Sequence, residues 1–192
     1  VNAVKFQLFK ANSLFSKKDA QYNSFKALEL NYKWIPKLIK NSKEHNLDFL
    51  CSAFDLESLK HLEKNKIEAH KIASSEVQNV KLLFELGKTN KPVFLSTGMS
   101  DFSDITLALE ILSLQSSNDI ILMQCGSVYP LEEKEANLGV IKSLKKISET
   151  VGFSDHTLGN KASIIALGLG ATVFEKHFTF DKKSEGPDHF YA

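Results

Sequence analysis

Short, β-rich apolar runs alternate along this chain with longer stretches of helical periodicity, and no other feature limits its folding choices as much. The runs occupy residues 3–7, 48–54, 69–74, 92–97, 119–125, 150–154 and 172–178. Helical patterns fill residues 19–45, 56–65, 77–88, 101–114, 137–147 and 159–169, the first split in two with Pro36 starting the second piece. Asp101 or Ser103 is placed to cap the helix at 101–114, and Asn137 the one at 137–147, while Gly87, Gly168 and Gly170 mark helix ends. Such alternation predicts parallel strands, because a parallel neighbour is reached only through a long crossover. No internal repeat accompanies it.

Two α/β architectures obey that rule: a doubly wound open sheet and a TIM-type (β/α)8 barrel. No GxGxxG follows any strand, which weakens the dinucleotide-binding form of the open sheet. The polar residues favour the barrel. Each strand is apolar in its body and polar at its C-terminal end: Lys5 and Gln7; Ser52 and Asp55; Lys71, Ser74, Ser75 and Glu76; Ser96 and Thr97; Gln124 and Ser127; Ser154, Asp155 and His156; Glu175, Lys176 and His177. Barrel active sites lie at that end and draw on several strands. A whole barrel takes about 250 residues. Seven strands in 192 residues therefore predict one incomplete barrel domain over residues 1–192, with the first strand (ahead of Val1) and the last helix missing.

Composition narrows the partners. The chain is 43% hydrophobic and 24% charged, an ordinary globular mixture. All 24 basic residues are lysine, set against 23 acids, for a net charge of +1. A nucleic-acid reader would want arginine forks and a basic excess, so none is expected. Residues 1–96 hold 16 lysines and 10 acids and residues 97–192 hold 8 and 13, a tilt that solvated helix faces explain. No apolar run reaches about 18 residues and no signal-peptide pattern opens the chain, so no membrane partner is expected and a cytoplasmic location is. Cys51 and Cys125 lie in apolar runs without CxxC or finger spacing and read as reduced core thiols.

Lys5 and Lys71 sit inside apolar strands, AVKFQ and AHKIAS. Lysine is almost never fully buried without a partner. Two of them at strand ends can grip a phosphate or carboxylate, with Ser52, Ser74, Ser96 and Ser154 as hydroxyl donors. Two other readings stand beside this one: either lysine pairs with a strand-end carboxylate such as Glu76, or one is a Schiff-base amine. His156 (SDHT) and His177 (EKHFT) close successive strands, and a strand spacing of about 4.8 Å lets two imidazoles share one divalent ion. The competing reading is a pair of satisfied core histidines. Asp155 and Glu175 would orient the imidazoles or join them. GPDH at 186–189, STGM at 96–99 and YP at 129–130 fit plain turn chemistry, or a site mouth, a phosphate loop and an aromatic over a sugar. His45 and His61 read as solvated helix residues, and His70 as facing the outer helices, opposite to Lys71.

In chain order, VKFQ (4–7), FDLESL (54–59), KIASSE (71–76), LSTGM (95–99), CGSVYP (125–130), ANL (136–138), GFSDHTLG (152–159), EKHFT (175–179) and GPDH (186–189) closely resemble the N-acetylneuraminate (sialic acid) synthase family, which includes legionaminate and pseudaminate synthases. The resemblance runs over nearly the whole chain, and its specificity lies in the order of nine modest motifs. It implies a barrel that condenses phosphoenolpyruvate with an N-acetylated amino sugar (N-acetylmannosamine or a related hexosamine) and water. The products would be a nine-carbon 2-keto-3-deoxy acid and phosphate. It further implies a divalent metal on His156 and His177, commonly Mn2+, with Mg2+ or Co2+ as alternatives. Lys5 and Lys71 would hold the phosphoenolpyruvate charges with Ser52, Ser74, Ser96, Ser127 and Ser154. Glu76 would sit on the phosphoenolpyruvate side, and Gln7, Tyr129 and Asp188 would meet the sugar.

The sequence also departs from that family. A glutamate of the family's first strand is absent, as is the small C-terminal antifreeze-like domain that lends an arginine to the partner's sugar site in a homodimer. Position 127 is Ser where some sialic acid synthases have Asn, and position 52 is Ser where Thr is common; both leave a hydroxyl and leave the sugar open. The expectation is a longer, homodimeric, active enzyme, with little or no activity in residues 1–192 alone. Rival classes remain. Another phosphoenolpyruvate–sugar condensing enzyme would release phosphate, a Schiff-base aldolase would be trapped by borohydride on Lys71, and a non-catalytic sugar-binding module would be indifferent to metal and to His156.

Overall fold

Buried parallel strands are flanked by apolar side chains, and crossovers between them are right-handed. If the strand order never reverses, every crossover helix falls on one face and the sheet curls away from it. A computed structural model, which describes residues 1–115 and 119–192, has this arrangement. Strands β1 (Ala3–Leu8), β2 (Asp48–Ala53), β3 (His70–Ile72), β4 (Val93–Ser96), β5 (Ile120–Cys125), β6 (Val151–Asp155) and β7 (Val173–Lys176) form one sheet in sequence order. All six strand pairs are parallel. That order excludes double winding among the described strands.

The curl can be measured. In a flat sheet, six spacings of about 4.8 Å would hold β1 and β7 about 29 Å apart. Lys5 Nζ on β1 instead lies 3.0 Å from Glu175 Oε1 on β7. The sheet is therefore an arc whose two ends face each other, an α/β fold with barrel-type curvature. The arc is open between β1 and β7, which share no ladder.

The helices are α1 (Ala11–Leu14), α2 (Tyr22–Ala27), α3 (Ile35–Glu44), α4 (Leu56–Lys64), α5 (Val80–Gly87), α6 (Phe102–Ser113), α7 (Val140–Leu144) and α8 (Lys161–Gly168). Pro36 sits in the first turn of α3, as expected of a residue without an N–H to lose. Asp101 caps α6 and Asp104 completes a capping box. Asn137 does not cap α7: it takes φ +45°, and Gly139 occupies the cap with no side-chain bond. The unforeseen α1 is one short turn whose Ala11 N–H is held by Glu29 Oε1 at 2.8 Å.

Leu8, Cys51, Ile72, Leu95, Leu122 and Phe153 point from the strands into the helix layer and are buried. Each buried Leu, Ile or Phe among them contributes about 1.5–3 kcal/mol. His70 faces the same layer, as its alternation with Lys71 predicts. Its Nε2 meets Glu63 Oε1 at 2.9 Å, its Nδ1 is buried without a partner, and burial pushes its pKa down to about 4. No helix among the described residues is long and apolar enough to cross a membrane.

Candidate functional site

Side chains alternate faces along a strand, so the residues that share Lys5's face line the inside of the arc. Register places Gln7 beside Ser52 and Ser52 beside Lys71, and aligns Cys125, Ser154 and Glu175 in a row. The strand ends deliver most of the polar residues expected from the sequence to one concave wall. Asp155 alternates to the other face. There it accepts from Thr157 N and Oγ1 and Ser163 Oγ and pairs with Lys176 at 3.2 Å, so it braces the turn into α8 rather than the imidazoles.

Glu175 closes the lysine cluster. It bonds Lys5 at 3.0 Å and accepts from Ser154 Oγ at 2.7 Å. Burial works to raise its pKa, but Lys71, Lys5 and Ser154 outweigh that and hold it near 2. Lys71 is fully buried and donates to Ile72 O at 3.0 Å and Ser96 Oγ at 2.7 Å. One of its three N–H groups is left without a partner among the described residues. Burial lowers its pKa to about 8, with the attraction of Glu175 working the other way. The lysine partner expected at Glu76 is thus Glu175. Glu76 is buried in a turn after β3, where it accepts from Asn79 Nδ2 at 2.8 Å and Ser75 Oγ at 3.1 Å, and no bond joins it to either lysine.

His156 and His177 do come together, with ring centroids 5.6 Å apart. His156 Nδ1 lies 2.7 Å from the Gly126 carbonyl, which can only accept, so Nδ1 carries the ring proton. Burial pushes the pKa to about 4, so Nε2 is an unprotonated base at neutral pH. Its 3.2 Å neighbour is Ser154 Oγ, whose single hydrogen goes to the Glu175 carboxylate. Two lone pairs therefore face each other, an arrangement that a cation would relieve. His177 Nδ1 lies 3.6 Å from Asp188 Oδ2, and burial lowers its pKa too. Two neutral imidazoles, one with Nδ1 hydrogen-bonded to a carbonyl and the other with Nδ1 3.6 Å from a carboxylate oxygen, suit metal-bound histidine, whose second ring nitrogen is turned toward a protein oxygen. No group of three or more His, Cys, Asp or Glu converges among the described residues, so a metal here would take its remaining ligands from substrate or water.

The other expected residues form the rim. The Tyr129 ring packs at a tilt on His156, with centroids 4.1 Å apart, and lies 5.6 Å from His177. Ser74 opens the turn after β3. Ser127 follows β5, where the STGM loop packs closely: a Cβ on Gly98 would meet Cys125 O and Sγ at 2.6 Å and Ser127 Oγ at 3.1 Å. Cys125 lies on the concave face, while Cys51 packs in the core. A hollow of about 230 Å³ lined by Lys10, Asn12, Ser13, Asp55 and Glu57 opens beyond β1 and β2. Its Asp55 is committed to Ser58 N at 2.6 Å and Ser13 Oγ at 3.0 Å. Tyr191 escaped the sequence reading: it is buried, and its ring lies 5.4 Å from Tyr129 and 5.2 Å from His177. No local pattern marks it. Glu175 carried a signal, since EKH places Glu175 and His177 on one face and Lys176 on the other.

A family model described as the NeuB family matches residues 1–192. An uncharacterised protein of Methanocaldococcus jannaschii is 43% identical over 98% of this chain and 56% of its own length. The N,N'-diacetyllegionaminic acid synthase of Campylobacter jejuni is 39% identical over 97% of this chain and 61% of its own. The chain thus spans a little over half the length of these relatives. A crystal structure of the N-acetylneuraminic acid synthetase of Leptospira borgpetersenii, in complex with citrate, superposes with TM-score 0.94 at 33% identity, over 100% of this chain and 67% of that one.

Proposed function

The chain belongs to the NeuB family, and from that premise we propose that it is the phosphoenolpyruvate-binding barrel portion of a sialic-acid-type synthase. The reaction joins C3 of phosphoenolpyruvate to the aldehyde carbon of an open-chain N-acetylated hexosamine. Water adds at C2, the C2–O bond breaks, and phosphate leaves. The observation that carries this reading is the convergence, on one concave wall, of two lysines with the neutral imidazoles of His156 and His177.

Lys5 and the spare N–H of Lys71 grip the substrate's anionic groups, with Ser96 and Ser154 as hydroxyl partners. Glu175 holds Lys71 protonated in the buried site until an anion takes over as counterion. Bound at His156 and His177, a divalent ion such as Mn2+ would polarise the sugar aldehyde as a Lewis acid. Tyr129 offers a ring face to the sugar, with Gln7 and Asp188 as polar contacts on the rim. With phosphoenolpyruvate as substrate we place the protein in the cytoplasm, and we retain the homodimer as the form of the longer enzyme.

The test is phosphate release from phosphoenolpyruvate with N-acetylmannosamine and related hexosamines, on the protein with whatever residues flank Val1 and Ala192 in its gene. Release that needs both sugar and Mn2+, and that His156→Ala and Lys71→Ala abolish, supports the reading. No release with any sugar from folded protein overturns it. A second reading rests on the buried Lys71 amine with its pKa near 8, which suits a Schiff-base aldolase. Borohydride trapping of a 2-keto acid on Lys71 would favour it. We also propose that residues 1–192 alone turn over little, because β1 and β7 leave two unpaired edges. Turnover matching a full-length relative would refute this.

A further inference from the structure

Tyr191 packs against His177, and the proposed function gives it no role. Its hydroxyl donates to Asp188 Oδ1 at 2.6 Å, and the other oxygen of that carboxylate lies 3.6 Å from His177 Nδ1. Asp188 itself is half exposed and follows Gly186, which takes φ +137°. An exposed carboxylate on a turn has many rotamers, and this bond is what selects one. The Tyr191 ring also packs on His177 and on Tyr129, so the hydroxyl is held by a wall of rings.

We propose that Tyr191 is a positioning residue: its hydroxyl fixes Asp188 so that the carboxylate faces His177 Nδ1 and leaves His177 Nε2 as the free base. This would make His177 the counterpart of His156, whose Nδ1 is held by the Gly126 carbonyl. The two rings use different oxygens for the same end. A backbone carbonyl is fixed by the fold, whereas a surface carboxylate needs an anchor, and Tyr191 supplies it. Asp188 then serves His177 as well as any sugar contact. The inference deepens the proposed function and rests on its metal site, although the orientation of His177 can be read without metal.

The experiment uses Tyr191→Phe, which keeps the ring and removes only the hydroxyl. Two readouts are taken: Mn2+ affinity by titration calorimetry, and the His177 tautomer in metal-free protein by imidazole 15N NMR. Losing an outer-shell partner typically weakens metal binding 10–100-fold. Tyr191 acts only through Asp188, whose carboxylate stands 3.6 Å from His177 Nδ1, so the expected loss is at the low end, about tenfold, with a smaller Nδ1–H population on His177 and none lost on His156. Unchanged affinity and an unchanged His177 tautomer overturn the inference. If the parent protein binds no Mn2+, the metal reading fails, and the tautomer alone decides the role of Tyr191. If Tyr191→Phe does not fold, Asp188→Asn replaces it. That variant keeps an acceptor for Tyr191 but removes the charge facing His177, and an unmoved His177 tautomer in it overturns the inference.

Discussion

Replacing Glu175 with Gln should destabilise the protein by about 2–3 kcal/mol at pH 7, and an anion should restore much of the loss. Gln has the shape of the protonated acid and can still accept from Ser154, so the substitution isolates the charge. Glu175 titrates near 2 instead of 4.5: its burial opposes ionisation, and Lys71, Lys5 and the Ser154 bond overcome that. At about 1.4 kcal/mol per pH unit the difference is worth roughly 3 kcal/mol. The Lys5 and Glu175 side chains are 21% and 18% exposed, so some screening by water brings the figure down to about 2–3. The pKa is depressed, so this stability is present above pH 4.5 and is lost as pH falls toward 2. Urea titrations at pH 7 and at steps down to pH 3 measure it. For a chain of this size the thermal midpoint should drop by about 4–12 °C. Lys71 loses its countercharge in the variant, so millimolar phosphate or phosphoenolpyruvate should raise the variant's midpoint more than the parent's. A variant as stable as the parent at pH 7, with the same acid limb, would refute the reasoning. So would a loss that no anion moves.

Three further outcomes follow from the same geometry. His70 and His156 both titrate near 4 because burial opposes their charged forms, so each contributes stability above pH 6.5 that fades as pH falls toward 4. His70→Leu should therefore flatten the urea-derived stability difference between pH 6.5 and pH 5 by about 2 kcal/mol, and an unaltered slope would count against the burial argument. Gly98→Ala would push a methyl to within 2.6 Å of Cys125 O and Sγ, and should cost about 1–3 kcal/mol in urea unfolding; a change under about 0.5 would mean the loop yields freely. His156→Ala should abolish stoichiometric Mn2+ binding and, like chelation of the parent protein, lower phosphate release at least about 100-fold; retained binding would show that the ion sits elsewhere.

Much of the fold was legible because its rules act over short stretches of chain. Alternation of apolar runs placed all seven strands to within a few residues, Pro36 marked the start of α3, and Asp101 the cap of α6. Asn137 misled, because an Asn that takes a positive φ looks in sequence like one that caps. Strand-end chemistry brought Lys5, Ser52, Lys71, Ser96, Ser154 and Glu175 to the concave wall, but Thr97, Gln124 and Lys176, polar at the same ends, alternate to the other face, and alternation alone sent His70 to the helices. Alternation would also have sent Asp155 there, had it been applied against the pull of its place beside His156.

The sequence by itself determined the α/β class, the strand set and the polar end at which the candidate site is built, since periodicity, caps and turn residues depend on near neighbours. The choice of partners was decided only by the tertiary structure. Lys5 pairs with Glu175 rather than Glu76 because six successive strand spacings bend into an arc that brings the two edge strands of the sheet together. The Gly126 carbonyl sets the His156 tautomer, and Tyr191 holds the carboxylate behind His177. No local pattern encodes these contacts, because each arises from curvature and loop packing summed over many residues.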